Sequence, residues 1–210
     1  MDLRRQIKGG LYLVIDPAME EALLLEKLRI VLASPIAAVQ VWDNFPDDGN
    51  PEALLEKVIV LCQEKNVPVL INNRWELLAQ HVFDGVHFDQ VPDHLASVRS
   101  CIKRPFLVGI TCGNELSTVA WADGNAVDYL SFCSIFPSQT SNSCELVLPE
   151  TIQKAREMTA LPIFLAGGIR PENLNELEKL SFDGIAVVSG IMRAAAPEKA
   201  ISAYLTYLNP

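Results

Sequence analysis

Short apolar runs alternate with stretches of helical period from one end of the chain to the other, and the alternation repeats eight times. Strands joined through helices lie parallel, and a parallel sheet is covered on both faces, so this rhythm restricts the fold more than any other feature. The runs predict strands over 11–15, 37–41, 68–71, 85–88, 106–110, 129–132, 162–166 and 184–188. The first and last are continuously apolar, as strands buried on both faces require. Helices are predicted over 17–32, 51–64, 74–81, 92–101, 115–123, 149–157, 171–179 and 197–208, several of them opening with Pro. In the second, Leu54, Leu55, Val58, Leu61 and Cys62 share one stripe, while Glu52, Glu56, Lys57 and Gln63 fall outside it. Eight such units in 210 residues predict a single (β/α)8 TIM barrel over 1–210. An open doubly wound sheet would need a glycine-rich first βα turn, which Asp16, Pro17 and Ala18 do not make.

The balance of 17 Lys and Arg against 26 Asp and Glu gives a net charge of −9 with no basic block, which argues against nucleic acid as a partner. No apolar stretch approaches the roughly 20 residues of a membrane span. Arg4 and Arg5 precede a run that is too short for a signal peptide or anchor and that meets Asp16 and Pro17. Cys62, Cys101, Cys112, Cys133 and Cys144 are scattered without a C-x-x-C pair, which suits reduced thiols in a cytoplasmic protein.

In a barrel of this kind the site lies at the carboxyl ends of the strands, and the last two loops usually hold phosphate. Here those loops read Gly167, Gly168, Ile169, Arg170 and Val188, Ser189, Gly190, Ile191. Glycines let backbone approach an anion, and amides opening a short helix point partial positive charge at it, so the two loops predict a phosphate cup.

Tyr12 to Asp16, Gln40, Asn72 to Arg74, Asp84 to Phe88, Gly109 to Thr111, Asp128 with Tyr129, Ile135 to Thr140, Gly167 to Ile169 and Val187 to Ser189 follow one order and spacing. In these segments the chain resembles the thiamine-phosphate synthases and their thiazole-tautomerase relatives. The resemblance implies a β/α barrel that joins a pyrimidine diphosphate to a thiazole phosphate with magnesium, and a homodimer. It also implies that Gly167, Gly168, Val188, Ser189 and Gly190 bind phosphate, and that Gln40, Trp42, Asn72, Arg74, Thr111, Ser138 and Thr140 bind substrate.

Other positions depart from the pattern. Trp42 and Asn44 stand where the family has Arg and Lys, and Ser141 stands where it has a further Lys. Asn73 and Pro92 stand where it has magnesium carboxylates. Losing cations and metal ligands slows departure of a diphosphate. Asp43, Asp89 and Asp93 flank the vacated positions as substitutes, and Asp89, Asp93 and His87 are the catalytic candidates. The tautomerase histidine is absent, because Gly113 follows Thr111 and Cys112. Cys112 and Cys133 are read as packing residues ahead of nucleophiles, and His81 and His94 as helix-surface residues. The Trp42 ring is placed to stack on a heteroaromatic ligand or to pack over the barrel mouth. Arg170 and Arg74 are candidate phosphate cations, and Asp16 a candidate orienting carboxylate.

Three functions follow from these residues. The first is a thiamine-phosphate synthase. The second is a paralogue that binds a thiazole- or thiamin-type phosphate without turnover. The third is a barrel enzyme acting on another phosphorylated metabolite.

Overall fold

The computed structural model describes residues 6–46, 51–137 and 145–209. Eight parallel strands, β1 (Gly10–Ile15), β2 (Ala38–Val41), β3 (Val69–Asn72), β4 (Gly85–Phe88), β5 (Leu107–Cys112), β6 (Tyr129–Phe132), β7 (Ile163–Ala166) and β8 (Gly184–Val187), close into a barrel in sequence order. β8 returns to β1 with Gly10 opposite Gly184 and Tyr12 opposite Ala186. The expected (β/α)8 barrel is what the chain forms.

Period-two alternation within each strand sorts side chains between two cores. Leu11, Leu13 and Ile15 of β1 face outward and join Val39, Ile71, Val108, Leu130 and Leu165 under the helices. Tyr12, Ala38, Leu70, Leu107, Tyr129, Phe164 and Ala186 face inward and fill the barrel. The rings of Tyr12, Tyr129 and Phe164 meet at the centre with centroids 5.5 to 5.7 Å apart, in tilted and edge-on arrangements. Gly109 and Gly184 make room for them: a Cβ at either would lie 2.1 Å from Tyr129 Cζ or 2.3 Å from Phe164 Cε1.

The amino ends of the strands are pinned by a repeated device. Asp84, Asp128 and Asp183 each precede an even-numbered strand and exchange two hydrogen bonds with the strand before it. Their carboxylates accept from the amides of Val69, Val108 and Ile163 at 2.7 to 2.9 Å. Their own amides donate to the carbonyls of the same three residues at 2.7 to 2.8 Å.

The outer layer holds α1 (Glu21–Val31), α2 (Pro51–Glu64), α3 (Leu95–Ile102), α4 (Ser117–Gly124), α5 (Pro149–Met158), α6 (Ser189–Met192) and α7 (Pro197–Leu208). The helix expected over 17–32 starts later, because the chain turns at Pro17 and Ala18 and Glu20 caps α1 by accepting from the amides of Ala22 and Leu23. The helix expected over 92–101 also starts later, at Leu95. The helices expected over 74–81 and 171–179 are the 3₁₀ segments Trp75–Ala79 and Pro171–Leu177. His81, expected on a helix surface, is half-buried beyond the first of these, with its ring 6.0 Å from Phe83 and its Nε2 buried. His94 is exposed and precedes α3.

Gly109→Ala is expected to lose about 1–3 kcal/mol in urea unfolding, because the added methyl displaces the Tyr129 ring from a filled interior. A loss within about 0.5 kcal/mol, the usual range for an exposed site, would contradict this account of the core.

Candidate functional site

Above the aromatic floor, the strands change from apolar to polar at their carboxyl ends. Gln40, Asn72, His87 and Ser131 are buried there, and Thr111 is half-buried. They surround a cavity of about 450 Å3 whose opposite wall is formed by Gly167, Gly168, Val188, Ser189 and Gly190. Trp42 and Asp89 lie on its rim. The strand-end polar residues and the two glycine-bearing loops thus share one cavity.

Ser189 and Gly190 open α6, where amides have no intrahelical acceptor. Gly167 and Gly168 both have positive φ, 89° and 67°. Their lack of a side chain is required by the preceding loop as well, since a Cβ at Gly167 would lie 2.4 Å from Ser134 N and one at Gly168 2.7 Å from Phe136 O. The two loops are joined by bonds from Ile135 N to Ala166 O and Phe136 N to Gly167 O, both 3.0 Å. The cup is therefore held in shape by the β6–α5 loop.

A chain of hydrogen bonds crosses the cavity floor. Tyr12 Oη donates to Gln40 Oε1 at 3.0 Å and lies 2.8 Å from Tyr129 Oη. Tyr129 Oη lies 2.9 Å from His87 Nδ1, and His87 Nε2 lies 2.9 Å from Thr111 Oγ1. Burial pushes the His87 imidazole down to about 4, opposed by the nearby Asp89 carboxylate. His87 is neutral at pH 7. Burial likewise raises both tyrosines, so both phenols stay protonated.

On the rim, the Asp89 carboxylate accepts from Asn72 Nδ2 at 3.0 Å and from Asn73 Nδ2 at 2.9 Å. Asn73, at φ 57°, returns a bond by accepting from the Asp89 amide. Arg74 points elsewhere: its Nε donates to Asp43 at 2.5 Å, its guanidinium covers the Phe45 ring, and it does not line the cavity. Asp93 is exposed in the turn before α3, with half-buried Pro92 beside it, and neither lines the cavity. Asp16 ties two loops by accepting from Asn44 Nδ2 and Ala18 N. Cys112 packs outward in the core, and burial pushes its thiol up to about 12, as a packing residue requires. Ser138, Thr140, Ser141 and Cys144 lie outside the described residues.

Sequence reasoning brought Gln40, Trp42, Asn72, His87, Asp89, Thr111 and the five cup residues to this cavity, and missed Tyr12, Tyr129 and Phe164. Their signal was strand parity, since all three share the inward face with Gln40 and His87. Among the described lining residues the charged group is a carboxylate, Asp89, and no Lys or Arg. No group of three or more His, Cys, Asp or Glu suited to a metal occurs among the described residues, and no helix there is long and apolar enough to cross a membrane.

Comparison with known proteins gives a consistent picture. The family model described as thiamine monophosphate synthase matches residues 11–191. The chain is 28% identical over 189 residues to the thiamine-phosphate synthase of Methanobrevibacter smithii, covering 90% of each chain. It is 30% identical over 190 residues to that of Marinobacter nauticus, covering 90% of this chain and 85% of the relative. Among solved structures, the thiamine phosphate pyrophosphorylase from Pyrococcus furiosus superimposes with a TM-score of 0.79 at 23% identity, over 99% of this chain and 98% of that one.

His87 supplies a test. Its folded value of about 4 lies below its ordinary value of 6.5, so between those pH values the unfolded chain binds more protons and stability falls as pH falls. From pH 6.5 to 4.5, wild type is expected to lose about 2–3 kcal/mol more than His87→Gln in urea unfolding, carboxylate titration being common to both. Equal losses would show that His87 is not held neutral by the fold.

Proposed function

Because the chain belongs to the thiamine monophosphate synthase family, we propose that it serves thiamin biosynthesis by joining hydroxymethylpyrimidine diphosphate to thiazole phosphate and releasing diphosphate. The observation that carries this reading is the continuity of one cavity from Gln40 and Trp42 on one wall to Gly168, Ser189 and Gly190 on the other. A flat pyrimidine sits against the Trp42 indole and hydrogen-bonds Gln40, and the thiazole phosphate takes the free amides of the cup. The new bond joins the thiazole nitrogen to the pyrimidine methylene as the bond from that methylene to the diphosphate oxygen breaks. The protein's work in this step is to hold the two partners in line and to exclude water. Neutral His87 acts as a fixed hydrogen-bonding group at neutral pH and not as a proton carrier.

Magnesium, which the resemblance implies, does not fit the described residues. Asn73 and Pro92 carry no negative charge, which leaves Asp89 as the one carboxylate among the described residues that line the cavity. Asp43 is paired with Arg74, and Asp93 lies away from the cavity. No step is routed through the metal. Arg170, Arg193 and Lys199 line an adjoining cavity that shares Gly168, Ser189 and Gly190, whereas no Lys or Arg among the described residues lines the cavity beside Gln40 and Trp42. That lack favours the second reading, a paralogue that binds a thiazole- or thiamin-type phosphate without turnover. The proposal includes the homodimer implied by the resemblance, which light scattering reads, and a cytoplasmic location.

Incubation with both substrates, with and without magnesium, followed by mass spectrometry is expected to yield thiamine phosphate above a no-enzyme control. Ser189→Asp places a carboxylate at the cup and is expected to weaken thiazole phosphate binding by at least about tenfold, or about 1.4 kcal/mol. Gly168→Asp is the poorer variant, because its Cβ would strike Phe136 O. Binding that Ser189→Asp abolishes, with no product, supports the second reading. No product and no binding would overturn both.

A further inference from the structure

The hydrogen bonds across the cavity floor have a direction, and it follows from counting protons. Gln40 Oε1 only accepts, so the Tyr12 hydroxyl spends its proton there. Tyr12 Oη must then accept from Tyr129, whose own oxygen accepts from His87 Nδ1–H. A neutral imidazole has one N–H, so Nε2 accepts, and Thr111 donates to it. Thr111 Oγ1 is left with lone pairs to accept with, and it lies 3.9 Å from the Cys133 sulfur. Turning the Gln40 amide over would reverse every bond in the chain, so one orientation decides the donor or acceptor character of both ends.

We propose that Tyr12 and Tyr129 are positioning residues that hold His87 as its Nδ1–H tautomer and thereby present Gln40 to the ligand as a donor and Thr111 as an acceptor. Gln40 and Thr111 both line the cavity, from β2 and β5, and among the described residues the Gln40 amide nitrogen makes no other side-chain bond. A complementary ligand carries an acceptor, such as a ring nitrogen, toward Gln40 and an N–H donor toward Thr111. A 4-aminopyrimidine edge has this pattern, and its 4-oxo counterpart has the reverse. The ligand half of this inference rests on the proposed function, whereas the proton assignment stands on the protein alone. Asp89 is the charged group facing His87 from the rim, and Asn72 and Asn73 hold it in place.

Long-range 15N–1H spectra of the histidine-labelled full chain read the tautomer directly, with His87 assigned by its loss in His87→Gln. The expected result is a protonated Nδ1 and a bare Nε2 in wild type, and loss of that single tautomer in Tyr129→Phe. Phenylalanine fills the same space beside Gly109, and Tyr12→Phe provides a second variant should the first fold poorly. Titration of wild type with 4-amino-5-hydroxymethyl-2-methylpyrimidine is expected to show at least about tenfold tighter binding than with the 4-oxo compound, the preference shrinking in the folded Phe variant. A protonated Nε2 in wild type overturns the direction of the chain. A tautomer that both Phe variants preserve overturns the tyrosines' role. Equal or reversed preference between the pyrimidines overturns the ligand pattern. Absence of product in the synthase assay would leave the spectroscopic outcome unchanged, so the two failures are distinguishable.

Discussion

A closed eight-stranded barrel encloses a space that side chains must fill, and in this protein two tyrosine hydroxyls 2.8 Å apart lie at its centre. Gln40, His87 and Thr111 are joined through them. Burying a hydroxyl without a partner costs roughly 1–3 kcal/mol, so each phenol recruits the next group, and the bonds reach from Gln40 on β2 to Thr111 on β5. The aromatic floor is at once the top of the barrel core and the base of the cavity. A change in packing there, as at Gly109, alters the site without touching a ligand-facing residue.

The electrostatics of the cavity differ from those of a site built on ion pairs. The cup offers backbone amides, and the charged side chain at the rim is the Asp89 carboxylate. Arg74, the cation nearest in sequence to the site's asparagines, is held by Asp43 and Phe45. The amides of the cup take their geometry from the β6–α5 loop pressed on Gly167 and Gly168, and Arg170, Arg193 and Lys199 line the adjoining cavity that shares Gly168, Ser189 and Gly190. Loop packing and phosphate recognition make the same demand for glycine, so the glycines alone could not have told one from the other.

Much of the architecture could be read from the residues. All eight strands lie where apolar runs predict them, because strands buried on both faces leave a continuous signature. Two connections read as helices, at Trp75–Ala79 and Pro171–Leu177, are 3₁₀ segments. His81 reads as polar and external, yet it folds in beside Phe83. At the site, Gln40, Thr111 and the glycines were legible through spacing and resemblance. Tyr12 and Tyr129 were hidden within apolar runs, where a hydroxyl is easily passed over. Arg74 matched a pattern whose meaning changed once Asp43 came within reach.

The aspartate clamps at the amino ends bind β3 to β4, β5 to β6 and β7 to β8, and the described residues of β1 and β2 have no equivalent. The wall is thus assembled from strand pairs rather than from eight equal staves. Its seams fall between β4 and β5 and between β6 and β7. A circular permutant with new termini in either of those connections keeps every clamped pair contiguous in sequence, whereas one opened between β5 and β6 must close its clamp across the whole length of the chain. Modularity of this kind belongs to the base of the barrel, and it leaves the opposite end free to vary its chemistry.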